Sequence, residues 1–144
     1  MFTCIVVGTD GSDSAGAAVA LAVALAKQDG AQLHIVNAFK PTTSGGQLGV
    51  VGGGAPADPQ LSQAIGSEAS QRLVDSLADT LTGLNVTAHS VHDSPAEAVI
   101  QVAESVGADL IVVGNKGMER RVFGSVPNSI ARKAPCNLLI AKTT

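Results

Sequence analysis

Short apolar runs alternate with longer amphipathic or alanine-rich stretches along almost the whole chain. The runs FTCIVVG, AQLHIVNAF and DLIVVG are rich in β-branched residues, which predicts buried strands. The segment LNVTAHSVH alternates apolar and polar positions, as is typical of a strand with one wetter face at or near a sheet edge. The apolar run CNLLIAK near the end of the sequence predicts a fifth strand.

The stretches between these runs predict helices. SDSAGAAVALAVALAKQDG starts with capping residues and is apolar almost throughout, so we expect a helix that is buried on most of its circumference. DPQLSQAIGSEASQRLVDSLADTLTG carries Leu73, Leu77 and Leu81 at four-residue spacing, which indicates an amphipathic helix. In SPAEAVIQVAESVG, Ser94 and Glu97 have the spacing of a capping box.

A short fourth helix is predicted from Ser125 to Lys133, so that the element order is β-α-β-α-β-α-β-α-β. Because βαβ crossovers are right-handed, this order predicts a single α/β domain over residues 1–144. Its fold would be Rossmann-like, an open five-stranded parallel sheet of order 3-2-1-4-5 with helices on both faces.

One segment departs from this alternation. Residues 40–59, KPTTSGGQLGVVGGGAPADP, are glycine-rich and form an unusually long connection for an α/β domain. We interpret them as a flexible flap beside the carboxyl ends of the strands, and an insertion without a role is an equally good alternative.

The composition of the chain excludes some classes of protein and argues against some classes of partner. Hydrophobic residues make up 45% and charged residues 15% of the chain, which excludes a disordered protein. The net charge of −3 and the lack of a basic stripe argue against a nucleic-acid partner. No apolar stretch reaches the ~20 residues of a membrane span, so no membrane partner is expected. Cys4 and Cys136 lie in apolar surroundings, which predicts two reduced core thiols in a cytoplasmic protein.

The predicted topology also indicates where a ligand would bind. Open parallel sheets bind ligands at the carboxyl ends of their strands, at the switch point, which here lies between the first and fourth strands. These strands lead into VVGTDGS and VVGNKG. The loop GNKGMERRVFGS then combines glycines with a helix start, which favours an anion such as phosphate. Its basic residues, the candidate charge partners of the phosphates, are Lys116, Arg120 and Arg121. The chain has neither a Walker loop nor a G-x-G-x-x-G motif.

The segments GTDGS, SPAEAVIQVAESVGADLIVVGNKG and GSVPNSIARKAPCNLLIAKT resemble the universal stress protein family, and the resemblance covers nearly the whole chain apart from the flap. Nucleotide-binding members carry two glycines separated by two residues, then nine residues, then Gly-Ser or Gly-Thr. Gly114 and Gly117 match the first pair, and Gly124 with Ser125 matches the second, but only six residues lie between Gly117 and Gly124. Asp93 stands where many members have glycine. The shorter loop would hold fewer phosphate oxygens or favour a smaller nucleotide, and the extra carboxylate would repel one.

The resemblance implies an adenine-nucleotide site, with ATP as the expected ligand, AMP or cyclic AMP as alternatives, and Mg²⁺ held through the phosphates. Asp10 would accept hydrogen bonds from adenine or ribose, the backbone of Ile35 would read the adenine edge, and Val113 would pack near the ribose. The other implied nucleotide-binding residues, beside the adenosine or around the phosphates, are Gly8, Thr9, Gly114, Asn115, Gly117, Gly124, Ser125 and Val126. Capping of the first helix by Asp10 and Ser12 is the alternative to a binding role.

The sequence offers no set of catalytic residues, since no nucleophile motif is present and no histidine lies near the loop. His89 and His92 would point to opposite faces of a strand, which argues against a metal site there, and His34 is expected to be a strand residue with its hydrogen bonds satisfied. We therefore expect a stress-response protein that binds a nucleotide with little or no turnover.

The resemblance also implies a homodimer in which the last strand, residues 136–142, pairs with its own copy; its apolar edge lacks proline. One alternative is a dimeric stress protein that works without ATP, which the shortened loop favours. A second is an adenylating enzyme, because TDGSDSAG faintly resembles the phosphate loop of ATP pyrophosphatases.

Overall fold

The computed structural model describes residues 1–39, 59–115 and 126–142, with side chains in the second range described from residue 64. Its strands and helices, in chain order, are β1 Cys4–Gly8, α1 Asp13–Asp29, β2 Gln32–Phe39, α2 Pro59–Thr80, β3 Val86–His92, α3 Pro95–Val106, β4 Leu110–Gly114, α4 Val126–Lys133 and β5 Asn137–Ala141. All neighbouring strands pair in parallel, in the order β3-β2-β1-β4-β5, and this confirms the predicted fold. The predicted flap lies outside the described residues, apart from its last residue, Pro59.

Two hydrophobic clusters cover the two faces of the sheet, because successive side chains of a strand point in opposite directions. Ile5, Val7 and Ile35 belong to the cluster beneath α1 and α2, together with alanines of α1 and Val74 of α2. The other cluster joins the alternate strand residues, such as Val6, to α3 and α4. Helices therefore pack on both faces, as predicted. Within the described ranges, no helix is both long enough and apolar enough to cross a membrane.

Helix α1 differs from the prediction of a helix buried on most of its circumference. Its buried residues, Ala18, Val19, Ala22 and Ala26, lie along one side, while Leu21 is 36% exposed. The prediction was wrong because a helix on the outer layer of an α/β sheet contacts the sheet along one side only. The alanines let the helix approach the sheet closely, but an alanine-rich sequence does not indicate that the whole circumference of the helix is buried.

The predicted capping box at α3 is also wrong. Ser94 is the N-cap and Pro95 follows at the start of the helix, but the Ser94 side chain makes no cap hydrogen bond within the described part of the chain. The Ser94 N–H donates instead to Asp93 Oδ1 at 2.7 Å. Glu97 Oε1 binds Lys133 Nζ of α4 at 2.6 Å, so the neighbouring helix takes the carboxylate that would have completed the box.

Asp109 ties the amino-terminal end of β1 to β4. Its carboxylate accepts hydrogen bonds from the backbone N–H groups of Thr3 and Cys4, at 2.9 and 3.1 Å, and from the Thr3 hydroxyl at 3.1 Å. Burial acts to raise the pKa of Asp109, but these donors outweigh it and lower the pKa. Cys4 and Cys136 are both free thiols, as predicted. Burial, reinforced by the charge of Asp109, raises the pKa of each thiol, which is typical of unreactive structural cysteines.

Two histidines form a hydrogen-bonded pair on neighbouring strands. His34 Nδ1 of β2 lies 2.9 Å from His89 Nε2 of β3, and His34 is 8% exposed. His34 is thus satisfied within the sheet, as expected, while His92 packs against Phe39 on the opposite face. Burial lowers the pKa of His34, and the charge of His89 lowers it further; burial alone lowers the pKa of His89.

These lowered pKa values predict that acid destabilises the fold. In the unfolded chain both histidines bind protons below about pH 6.5, whereas the folded pair resists protonation. The free energy of unfolding should therefore fall as the pH drops below about 6.5, and this contribution should level off below the folded-state pKa values. Urea unfolding across this range should show a shallower pH dependence in the His34→Leu/His89→Leu double variant.

The variant His92→Leu is the control, because it leaves the hydrogen-bonded pair intact and should keep the wild-type pH dependence. Equal pH dependence in the wild type and the double variant would contradict the assignment.

Candidate functional site

A cleft of about 180 Å³ opens at the carboxyl ends of β1 and β4. This is the switch point of the sheet, because β1 lies between β2 and β4 and its two neighbours are reached by crossovers in opposite directions. Small-molecule pockets typically measure roughly 300–1,000 Å³, so a cleft of this size accommodates part of a nucleotide. Its lining residues are Gly8, Thr9, Asp10, Ser12, Ser14, Ala15, Val36, Asn37, Ala38, Pro95, Val99, Val113, Gly114, Val126 and Pro127.

The turn from β1 into α1 forms one wall of the cleft and is held by its own side chains. The Gly11 N–H donates to Thr9 Oγ1 at 3.1 Å, and the Ser12 N–H donates to Asp10 Oδ1 at 2.9 Å. Ser12 caps α1 by accepting a hydrogen bond from the Ala15 N–H at 3.2 Å. Gly11 has a φ of 83°, which favours glycine. Ser12 alone caps α1, and the hydrogen bond from the Ser12 N–H holds Asp10 in place at the cleft.

The floor of the cleft is apolar and closely packed. Val99 of α3 and Val113 of β4 line it, together with the first residues of α4. A Cβ atom at Gly8 would lie 3.0 Å from Val99 Cγ2, which is closer than side chains normally pack. A side chain at Gly8 would require Val99 to shift, so glycine at the end of β1 lets α3 pack closely against the strand. The cleft combines this apolar floor with the carboxylate of Asp10 at its edge.

Six residues predicted from the sequence line this one cleft: Gly8, Thr9, Asp10, Val113, Gly114 and Val126. Asn115 directly follows β4, and its N–H donates to the Ala141 carbonyl at 3.0 Å, beside the end of β5. The remaining predicted residues lie outside the described part of the chain and stay predictions: Lys116, Gly117, Arg120, Arg121, Gly124 and Ser125.

The structure places Ile35 away from the cleft. It is fully buried in the cluster beneath α1 and α2, and it pairs with Val7 on one side and Ala88 on the other. The residues of β2 that line the cleft are Val36, Asn37 and Ala38. The predicted contact at Ile35 lies too early in the strand. β2 continues to Phe39, whereas its partner β1 ends at Gly8, opposite Val36.

The carboxylate of Asp93 is also engaged elsewhere. One oxygen accepts the hydrogen bond from the Ser94 N–H described above, and the other accepts one from Gln101 Nε2 at 2.6 Å. The structure thus holds Asp93 at the start of α3, and it is not one of the residues that line the cleft within the described ranges.

Sequence reasoning missed several lining residues. The clearest is Asn37, a polar residue that interrupts the apolar run of β2 and is 8% exposed. Its position two residues before the end of a predicted strand was a usable signal, because buried polar side chains almost always have a specific partner. Ala38, Pro95 and Pro127 offered no comparable signal, since apolar residues in these elements are equally well explained by the core.

Comparison with known proteins agrees with this geometry. The model of the universal stress protein family matches residues 1–142. Universal stress protein Rv1636 of Mycobacterium tuberculosis is 33% identical, and the match covers 99% of this chain and 98% of that protein. A universal stress protein of Thermus aquaticus is likewise 33% identical, over 99% of this chain and its own whole length.

Solved structures show the same architecture. The crystal structure of a universal stress protein in complex with cAMP is 30% identical, with a TM-score of 0.74 and coverage of 99% of both chains. The Archaeoglobus fulgidus universal stress protein in complex with dAMP has a TM-score of 0.63 at 22% identity, with 96% of both chains covered, and supports the fold alone. Since the family model spans the described strands and helices and the relatives match over nearly their full lengths, the chain belongs to the universal stress protein family.

Proposed function

We propose that this protein binds an adenine nucleotide in the cleft between β1 and β4 and acts in the stress response as a cytoplasmic homodimer. The observation that carries the proposal is the meeting of Gly8, Asp10, Val113 and Gly114 at the switch point of the sheet. A universal stress protein that is 30% identical over 99% of this chain is known in complex with cAMP, which supports the same ligand class here.

The cleft offers a distinct environment for each part of a nucleotide. Asp10 would accept hydrogen bonds from the adenine or ribose, whose apolar surfaces would pack against Val99 and Val113. The backbone of Val36, Asn37 and Ala38 is the edge of β2 nearest to the base. Phosphates would extend from Gly114 towards the start of α4 at Val126, where the helix dipole favours an anion.

ATP is the ligand we propose first, with AMP and cyclic AMP as the alternatives. The loop between Gly117 and Gly124 is three residues shorter than the family pattern, which favours a nucleotide with fewer phosphates. Mg²⁺ would be held by phosphate oxygens and water, since this ion usually keeps several water ligands.

We propose little or no catalysis. General acid–base chemistry needs a side chain that is positioned to move a proton. His34 and His89 bind each other, and His92 packs on Phe39. None of these three histidines is among the described residues that line the cleft. The adenylating-enzyme alternative would require pyrophosphate release when an acceptor substrate is present, and that assay separates it from simple binding.

A panel of nucleotides tests the proposal directly. ATP, AMP or cyclic AMP should raise the unfolding temperature in a thermal-shift assay, because a ligand that binds only the folded state stabilises it. At a concentration of about 100 times the Kd, the expected stabilisation is about 2.7 kcal/mol. GTP at the same concentration is the control for base selectivity and should produce a smaller shift.

No shift with any adenine nucleotide at millimolar concentration would contradict nucleotide binding and would favour the ATP-independent alternative. Sustained ATP turnover that is lost in Asp10→Ala would instead show an enzyme.

The glycine loop is tested by substituting its predicted phosphate-contacting glycines. Gly117→Val and Gly124→Val should each abolish measurable nucleotide binding in calorimetry, because a side chain would occupy space that the sequence pattern assigns to phosphate and would penalise positive φ. The sequence places both glycines in a loop, so we expect little change in the unfolding temperature.

Gly16→Val is the matched control for these variants. Gly16 lies in α1, and a Cβ atom there would meet no atom within 4 Å in the described structure. This control should bind nucleotide like the wild type. Wild-type affinity in both loop variants would refute the loop assignment.

The proposal of a homodimer is based on the exposed edge of strand β5. This strand is paired with β4 on one side and ends the sheet in the described structure, and Leu138, Leu139 and Ile140 are only half-buried. An apolar edge strand favours pairing with a second strand, here the same strand of another copy in antiparallel orientation.

Mass measurement at micromolar concentration should therefore give a dimer for the wild type and a monomer for Ile140→Asp, because the charge would be buried against the copy. Ile65→Asp, at a 59% exposed position on α2, is the control and should remain dimeric. A monomeric wild type would contradict the proposal.

A further inference from the structure

A buried polar chain links helix α2 to the wall of the cleft. Asn37 Nδ2 donates to the Thr9 carbonyl oxygen at 2.7 Å, and Asn37 Oδ1 accepts from the Ser70 hydroxyl at 2.6 Å. Asn37 is 8% and Ser70 4% exposed. The two bonds use both ends of the Asn37 amide and so fix its orientation, because its nitrogen must face a carbonyl and its oxygen a hydroxyl.

The Thr9 carbonyl that receives this bond belongs to the turn that carries Asp10. The Thr9 N–H is held as well, since it donates to the Val36 carbonyl at 2.9 Å. Both backbone groups of Thr9 are thus bound to β2, and this sets the direction in which the chain leaves β1. The position of Asp10, the next residue, follows from it.

Two other residues on one face of helix α2 make close contacts here, Leu73 with the turn and Gly66 with the end of β2. A Cβ atom at Gly11, within the turn, would lie 3.2 Å from Leu73 Cδ1, so that Leu73 packs directly against it. Two turns earlier in the helix, a Cβ atom at Gly66 would lie 3.2 Å from the Phe39 ring at the end of β2. Positions 66, 70 and 73 are three and four residues apart and share a face of the helix. Ser70, between them, supplies the polar contact.

We infer that Asn37 and Ser70 are positioning residues of the nucleotide site, an inference that rests on the proposed function. Ser70 acts on the cleft through Asn37, since Ser70 does not itself line the cleft and its hydroxyl donates to the Asn37 side chain. Together they hold the Thr9 carbonyl and present Asp10 to the base or ribose of an adenine nucleotide. The polar pair satisfies the Thr9 carbonyl, which an apolar residue at position 37 would leave without this donor.

The chain contains a matched control for this pair. Ser90 of β3 lies directly opposite Asn37 in the β2–β3 register. Its hydroxyl is buried and has no hydrogen-bond partner in the described part of the structure. Ser90→Ala therefore makes the same chemical change as Ser70→Ala, beside the same asparagine, without breaking a bond.

Calorimetric titration with ATP and with GTP tests the inference. Ser70→Ala should weaken ATP binding about threefold to tenfold, the equivalent of one net hydrogen bond. Asn37→Leu should weaken it at least as much, and both variants should show a smaller preference for ATP over GTP because Asp10 is no longer held against the base. The Asn37→Leu/Ser70→Ala double variant should lose no more than Asn37→Leu alone, since the two residues act in one chain. Ser90→Ala should match the wild type in affinity and in base preference.

Wild-type affinity and base preference in Ser70→Ala and Asn37→Leu, even with lowered unfolding temperatures, would overturn the inference and leave the pair with a role in stability alone. Failure of the wild type to bind any of ATP, AMP and cyclic AMP would overturn the proposed function and this inference with it, and wild-type titrations with the three nucleotides distinguish that case. Should Asn37→Leu not fold, Ser70→Ala decides the question, because it leaves the bond from Asn37 to Thr9 in place.

Discussion

The cleft depends on the complete enclosure of β1. This strand pairs with β2 on one side and β4 on the other, and Ile5, Val6 and Val7 are fully buried between the helices of both faces. The crossovers that lead to the two neighbours of β1 run in opposite directions along the sheet. Because both crossovers are right-handed, their helices pack on opposite faces of the sheet. A crevice then opens where β1 and β4 end, and Gly8, Thr9, Asp10 and Gly114 border it.

Much of this arrangement could be predicted from the sequence because it follows from periodicity. Apolar runs of strand length separated by helices specify a parallel sheet, and the switch point follows from the strand order. The strand ends VVGTDGS and VVGNKG were located at the cleft in this way, whereas the individual roles of Asp10 and Val113 came from the resemblance to the universal stress protein family. The strands were also the easiest elements to recognise, because both of their faces are buried and their apolar residues are consecutive.

The predictions that failed depend on partners that are distant in the sequence. The alanines of α1 indicate close approach to the sheet, but only the layer arrangement shows that one side of the helix stays exposed. Glu97 has the spacing of a capping box, yet Lys133 of α4 takes its carboxylate. Ile35 was misplaced because the relative lengths of β1 and β2 are set by their register, which a local pattern does not contain.

The buried polar residues on the two faces of β2 have different roles. His34 turns towards the α3 face and is satisfied by His89, and neither histidine lines the cleft. Asn37 turns towards α2 and is satisfied by Thr9 and Ser70, at the cleft. Both are buried polar groups with matched partners, as stability requires, but only Asn37 contacts the turn that carries Asp10. This assigns α2 a part in the architecture of the site in addition to its part in the core.

Binding of an adenine nucleotide in the cleft at the ends of β1 and β4 is tested most directly by amide chemical-shift mapping during a titration with AMP. The largest shifts are expected at residues 8–10, 36–38 and 113–115, with little change at Thr3, Asp109 and Asn137 at the opposite end of the sheet. Saturable shifts confined to that opposite end, or no shifts at millimolar AMP and ATP, would contradict it.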